Sequence, residues 1–176
     1  MIFTETKLKG AYMIDLEPHR DDRGFLARTF CVDEFRQRGL NPKLVQTSIS
    51  VNIKKGTLRG MHYQDAPFQE AKVVRCTRGA LYDVIIDLRR DSKTFRQWTF
   101  AELTVDNRRM FYIPEHFAHG FQTLQDDTEI LYYMSEFFHP ESARGFRWDD
   151  PAFNIQWPIP QPILSPKDQS YPDVPL

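Results

Sequence analysis

Between residues 44 and 52 the chain alternates without a break. Val45, Thr47, Ile49 and Val51 fall on one side of an extended backbone, and Gln46, Ser48, Ser50 and Asn52 on the other. A period of two marks a β-strand. Shorter stretches of the same kind recur along the chain. Residues 11–17 read as a first strand ended by Pro18, residues 19–24 as a charged turn, and residues 25–30 as a second strand. Residues 32–38 carry a short helical pattern with Phe35 inward, closed by Gly39. Strands follow over 71–77, 81–88, 98–105, 109–113, 118–124 and 128–135. Short strands separated by turn signals predict an all-β sandwich or barrel, one domain over residues 1–176. From Trp157 onward the pattern changes: six of the twelve prolines lie there, which predicts an extended strap laid over the barrel. In a barrel, the polar side of residues 44–52 can point at a ligand.

Composition narrows the class. At 176 residues, 41% hydrophobic and 14% aromatic, the chain has enough apolar surface for a sizeable core. A net charge of −1 gives no broad electrostatic reason to bind nucleic acid or an anionic membrane, although it leaves room for a local basic pocket. Cys31 and Cys76 lack metal-ligand spacing, and the start Met1-Ile2-Phe3-Thr4 lacks an export signal; both cysteines read as reduced thiols of a cytoplasmic protein. No apolar run approaches the roughly 18 residues of a membrane span.

The densest chemistry lies in Gly56-Thr57-Leu58-Arg59-Gly60-Met61-His62-Tyr63-Gln64. Arg59 and His62 have opposite parity in a regular strand, so both reach one cavity only if the strand bulges, and Gly60 is the natural place. His62 suits a general base near neutral pH, oriented by a carboxylate from Asp83, Asp87 or Asp168; the alternative is a hydrogen-bonded core histidine. A metal site built from His62, His116 and His119 is a further alternative, although no carboxylate follows closely. Lys72 shares a face with Val74 and Cys76, so it either points inward, paired or poised for an anion, or snorkels out at an edge. Tyr132 and Tyr133 alternate, so one faces in and one out, and periodicity does not say which. Phe137 and Phe138 are core or a platform for a flat ring.

In order along the chain stand Arg23-Gly24-Phe25, Leu58-Arg59-Gly60-Met61-His62-Tyr63-Gln64, Asp83-Val84, Asp87-Leu88-Arg89, Ser92-Lys93-Thr94-Phe95, Ile113-Pro114, Phe117-Ala118-His119-Gly120-Phe121 and Leu164-Ser165-Pro166-Lys167-Asp168. Together they resemble the dTDP-4-dehydrorhamnose 3,5-epimerase family over nearly the whole chain. The resemblance implies a double-stranded β-helix (cupin, jelly-roll) barrel, free of metal and cofactor, acting as a homodimer on a nucleotide sugar. It implies His62 as base, Asp168 as its dyad partner and Tyr132 as the opposing acid. Arg59, Lys72 and His119 match positions around the sugar and diphosphate; Arg23, Gln46, Ser48 and Lys167 match further substrate contacts, and Phe138 a position that stacks on the base.

Four positions depart from the family pattern: Arg28 where a Glu is usual, Gln46-Thr47-Ser48 for Gln-Asp-Asn, Glu70 for Gln before Lys72, and Ala143 for a Glu. The expectation is therefore an epimerase with an intact proton-transfer set and an altered recognition shell. A mono-epimerase or ketoisomerase on another nucleotide sugar, or a non-catalytic or metal-binding cupin, are the alternatives.

Overall fold

The computed structural model describes residues 1–174. Its elements, in order, are β1 (Ile2–Glu5), β2 (Tyr12–Asp15), β3 (His19–Asp21), β4 (Gly24–Leu26), α1 (Val32–Arg36), β5 (Gln46–Asn52), β6 (Leu58–Gln64), β7 (Lys72–Arg78), β8 (Ala80–Asp87), β9 (Trp98–Thr104), β10 (Met110–Ile113), β11 (Phe117–Thr123), β12 (Thr128–Met134), β13 (Ala143–Gly145) and α2 (Pro166–Ser170). Two antiparallel sheets, ordered β1-β2-β10-β7-β12-β5 and β13-β6-β11-β8-β9, form the jelly roll, and β3-β4 make a separate hairpin. Val74, Phe111 and Ile130 from the first sheet and Leu81, Ile85, Leu103 and Phe121 from the second share one buried core, so the sheets pack face to face.

Both outer faces are also covered. Phe35 of α1, Met1 and Leu40 close the back of the six-stranded sheet over Val73, Met110 and Tyr112. Phe146 and Phe153 close the other back over Met61, Val84, Ile86 and Ala118. That explains why β8 and β11 are nearly continuously buried instead of alternating. It also resolves the tyrosine pair: Tyr132 joins the inter-sheet core and Tyr133 the core under α1.

Several expectations need correction. The strand expected over 11–17 shrinks to β2, and the preceding strand β1 was not signalled by any alternation. The charged turn at 19–24 is itself a hairpin, and the strand expected over 25–30 stops at Leu26. The strand expected over 44–52 begins at Gln46, and its polar side turns inward as a ligand-facing side would: Asn52 is buried, while Ile49 is 61% and Val51 48% exposed on the outer side. Among the described residues β5 is an edge strand, paired to β12 alone.

The proline-rich tail does lie as a strap; its last two residues, Pro175 and Leu176, fall outside the described residues. Ile163 donates to the Gly56 carbonyl (2.8 Å) and accepts from the Leu58 amide (2.9 Å). The Gln122 side chain clasps the backbone of Ile159 with two 2.9 Å bonds. The strap also contains α2, a helical turn that begins where Ser165 Oγ accepts from the Asp168 amide at 3.0 Å, with Pro166 at its first position.

Candidate active site

β6 does bulge at Gly60. Across the ladder to β11, His62 faces His119 and Arg59 faces Phe121, so two residues of β6 oppose one of β11. Gly60 holds φ = +139°, and a β-carbon there would lie 2.5 Å from the Gly120 Cα. Only glycine fits that close approach. The bulge cancels the parity conflict, and Arg59 and His62 open into one cavity of about 340 Å³. Ser50 of β5, Lys72 of β7, His119 and Phe121 of β11, and Tyr132 and Met134 of β12 line it from the barrel; Glu70, Phe138, Ala143, Arg144, Lys167 and Tyr171 complete its rim.

Two His–Asp pairs meet at the wall. His62 Nε2 lies 2.5 Å from Asp168 Oδ1, and Asp168 Oδ2 accepts from Ser165 Oγ at 2.8 Å. Burial opposes ionisation of Asp168, but the hydrogen bond and charge of His62, with help from Ser165 and Arg59, hold its carboxyl below the ordinary range. With Nε2 donating to that carboxylate, Nδ1 of His62 carries the free lone pair. Beside it, His119 Nε2 lies 3.0 Å from Asp83 Oδ2 and 2.9 Å from Oδ1, and among the described residues Oδ1 has no hydrogen-bond partner of suitable geometry. Burial pushes the Asp83 carboxyl up, and His119 and Lys72 offset this only in part.

Tyr132 comes from the opposite sheet. Its ring meets His119 edge-on, with centroids 6.2 Å apart. Burial first, and then the Asp83 carboxylate, push its phenol far up, against smaller opposing effects of Arg59 and Ser50. Tyr132 therefore stays protonated at neutral pH. Lys72 points inward and its Nζ pairs with Glu70 at 2.8 Å, both side chains largely buried. Arg59 donates through Nε to Asn52 Oδ1 at 2.8 Å, which fixes its stem and leaves the rest of the guanidinium facing the cavity.

At the outer end Phe138 is 59% exposed, which excludes the core reading, and its ring lines the cavity mouth. Its loop is pinned by two glutamines. The buried Gln64 donates to the carbonyls of Phe68 (2.9 Å) and Phe137 (3.0 Å) and accepts from the His139 amide (2.7 Å). Gln46 accepts from the Phe138 amide at 3.2 Å.

The structure thus brings together His62, Asp168, Tyr132, Arg59, Lys72, His119, Phe138 and Lys167. Gln46 acts on the rim through the backbone of Phe138. Two expected contacts are not at the cavity within this chain. Arg23 sits on the β3-β4 hairpin, paired to Asp21 at 2.6 Å and 90% exposed, because a three-residue strand pair projects it away from the barrel. Ser48 shares the inward face of β5 with Ser50 and stands opposite Tyr132 in the ladder, but it is exposed and does not line the cavity, whereas Ser50 does. Of the departing residues, Glu70 and Ala143 line the cavity, whereas Arg28 pairs with Glu34 at 3.1 Å elsewhere. His116 lines a separate cleft with Arg90 and Phe95, so the three histidines do not converge. Asp87 serves neither histidine: it accepts from Arg89, Ser92 and Thr94 and organises the loop after β8.

Arg144 and Tyr171 were not anticipated. Tyr171, three residues after Asp168, leans on His62 with ring centroids 5.7 Å apart. Its position depends on how the strap folds back, which leaves no trace in local pattern.

A family model described as dTDP-4-dehydrorhamnose 3,5-epimerase matches residues 5–175. The dTDP-4-dehydrorhamnose 3,5-epimerase of Methanothermobacter thermautotrophicus is 41% identical over 172 residues, covering 96% of this chain and 92% of its own. A crystal structure of the enzyme of that name from Elizabethkingia anophelis superposes with a TM-score of 0.96 at 36% identity, over 98% of this chain and 96% of that one. The Bacillus anthracis enzyme, solved with TDP and PPi bound, gives 0.94 at 36% identity, over 98% and 99%. With its jelly roll and a match across almost its full length, the chain belongs to the dTDP-4-dehydrorhamnose 3,5-epimerase family.

Proposed function

We propose that this cavity epimerises C3, C5 or both of a nucleoside-diphosphate 4-keto-6-deoxy sugar, with dTDP-4-keto-6-deoxyglucose as the substrate to test first. The observation that carries the reading is the placement of His62 and Tyr132 on facing sheets, with a carboxylate behind the first and burial keeping the second protonated. A carbonyl at C4 acidifies the C–H bonds at C3 and C5. His62 takes a proton through Nδ1, and Asp168 holds the ring and stabilises the imidazolium that forms. Charge develops on the carbonyl oxygen, where the Lys72 ammonium stabilises the enolate. Tyr132 returns a proton from the other side, which inverts the centre. The enolate carbon is basic enough to take it, and the tyrosinate that results is met by Arg59.

Arg59, Arg144 and Lys167 supply cations for a diphosphate, and Phe138 a face for the base. Ionic contacts remote from the reacting carbons hold the ring in place during both proton transfers. We place the enzyme in the cytoplasm, supported by its two free cysteines and its nucleotide-linked substrate. No helix among the described residues is long and apolar enough to cross a membrane. We further propose a homodimer built on the outward side of β5, where Ile49, Val51 and the following Ile53 are exposed along an unpaired edge. The β3-β4 hairpin with Arg23 is a second surface that another copy would cover.

The test is deuterium uptake from D2O into dTDP-4-keto-6-deoxyglucose, resolved at C3 and C5 by NMR. Uptake with inversion is expected for the wild type, and a loss of at least about 100-fold for His62→Ala and Tyr132→Phe at unchanged melting temperature. Wild-type uptake by His62→Ala would overturn the mechanism.

A further inference from the structure

The proton-transfer scheme uses Lys72 but gives no task to the carboxylate attached to it. Glu70 and Lys72 are two residues apart on an extended segment, so both side chains enter the cavity from one face. The backbone between them is fixed: Ala71 donates to Ser135 Oγ at 2.7 Å and accepts from the Ser135 amide at 2.9 Å. The ion pair measures 2.8 Å, with Lys72 13% and Glu70 10% exposed. Among the described residues Lys72 is the only ion-pair partner of Glu70.

A buried carboxylate at this place has a cost. It offsets the positive charge that the enolate oxygen needs, and it is itself desolvated. A neutral acceptor or an apolar residue would leave Lys72 stronger. What the pair does provide is a donor and an acceptor side by side, one hydrogen-bond length apart. The carbonyl oxygen and neighbouring hydroxyl of an α-hydroxy ketone present the complement: an acceptor and a donor on adjacent ring carbons, at a similar separation.

We propose that Glu70 is a specificity-determining residue that, together with Lys72, reads the α-hydroxy ketone of the sugar: Lys72 donates to the C4 carbonyl oxygen and Glu70 accepts from the C3 hydroxyl. The inference rests on the epimerase reading above and deepens it to a substrate class, 4-keto sugars that keep a free hydroxyl at C3. A site built to bond a hydroxyl rejects the analogue that lacks it, because the buried acceptor is then left without its partner. Glu70 also counts against a substrate whose C3 oxygen is blocked, since a carboxylate offers no donor to an ether.

The experiment compares wild type, Glu70→Gln and Glu70→Ala on dTDP-4-keto-6-deoxyglucose and its 3-deoxy counterpart. Both substrates carry exchangeable hydrogens at C3 and C5, and kcat/KM for total deuterium uptake is measured for each. The wild type is expected to favour the hydroxylated substrate by at least about tenfold. Glu70→Ala is expected to reduce that ratio to within about twofold, and Glu70→Gln, whose amide oxygen still accepts, to an intermediate value. An unchanged ratio in Glu70→Ala, or equal acceleration of both substrates, would overturn the proposal; the second result would reduce Glu70 to a charge that damps Lys72. Matching melting temperatures, above all for the isosteric Glu70→Gln, separate these outcomes from misfolding. A wild type that labels neither substrate would instead remove the epimerase reading, and this inference with it.

Discussion

His62 and His119 stand directly opposite each other across the β6–β11 ladder, and each holds a different aspartate through Nε2. They are not equivalent. The His62 side chain is 41% exposed and its partner Asp168 arrives on the strap, whereas His119 is 7% exposed and its partner Asp83 lies on the adjacent strand, fully buried. One imidazole is open to a substrate, and the other is a fixed part of the wall beside Tyr132.

Asp83→Asn keeps the shape and removes the charge behind His119. The amide no longer fixes one tautomer of His119, since it can present either its oxygen or its NH2 to Nε2, and Tyr132 loses a neighbour that raises its pKa. A fall in kcat of about 10- to 100-fold, with KM changed much less, is expected from steady-state kinetics. Wild-type kcat in a folded Asp83→Asn protein would sink this assignment.

Asp87 gives a pH-dependent prediction. Burial works against its ionisation, yet Arg89, Ser92 and Thr94 together lower its pKa to about 2. A depressed carboxylate stabilises the fold above the unfolded-state value near 4, and that contribution is lost as pH falls through the folded-state value. At neutral pH it amounts to about 2 kcal/mol. Melting curves of wild type and Asp87→Asn should therefore differ most at neutrality and converge toward pH about 2. A constant difference across that window would show that the charge is not the cause.

Gly60→Ala places a methyl group against the Gly120 backbone at a positive φ that alanine resists. A destabilisation of about 3 kcal/mol or more is expected in denaturant titrations. Because β6 would relieve the clash by shifting, activity should fall further than stability alone explains.

Ile49→Glu introduces a charge on the exposed side of β5, away from the cavity. Light scattering is expected to show a dimer for the wild type and a shift toward monomer for this variant. A monomeric wild type, or a variant with an unaltered mass, would count against the β5 interface.

The sequence was most informative where a local rule was broken. Opposite parity at Arg59 and His62 required a bulge, and Gly60 was the residue able to make it. Inward placement of Lys72 was one of two readings that a face shared with Val74 and Cys76 allowed. On β5 the alternation gave two faces, and the polar one does turn toward the cavity through Ser50 while Ile49 and Val51 face out on an edge strand. Alternation alone does not say which face a barrel turns inward. Arg23 and Ser48 matched a motif, yet motif position carries no information about how far a hairpin projects or how far along an edge strand the cavity extends.

By itself the sequence determined the strand-rich class, the bulged His62 strand and, through ordered motifs, the family. The motifs pointed to Asp168 for His62, but only the tertiary structure decided the partners of Asp83 and Asp87. Residue type and spacing leave Asp83, Asp87 and Asp168 as equal candidates, because hydrogen bonding depends on distance and not on order along the chain. The fold sends Asp168 to His62 from 106 positions away, gives Asp83 to His119, and commits Asp87 to its own loop.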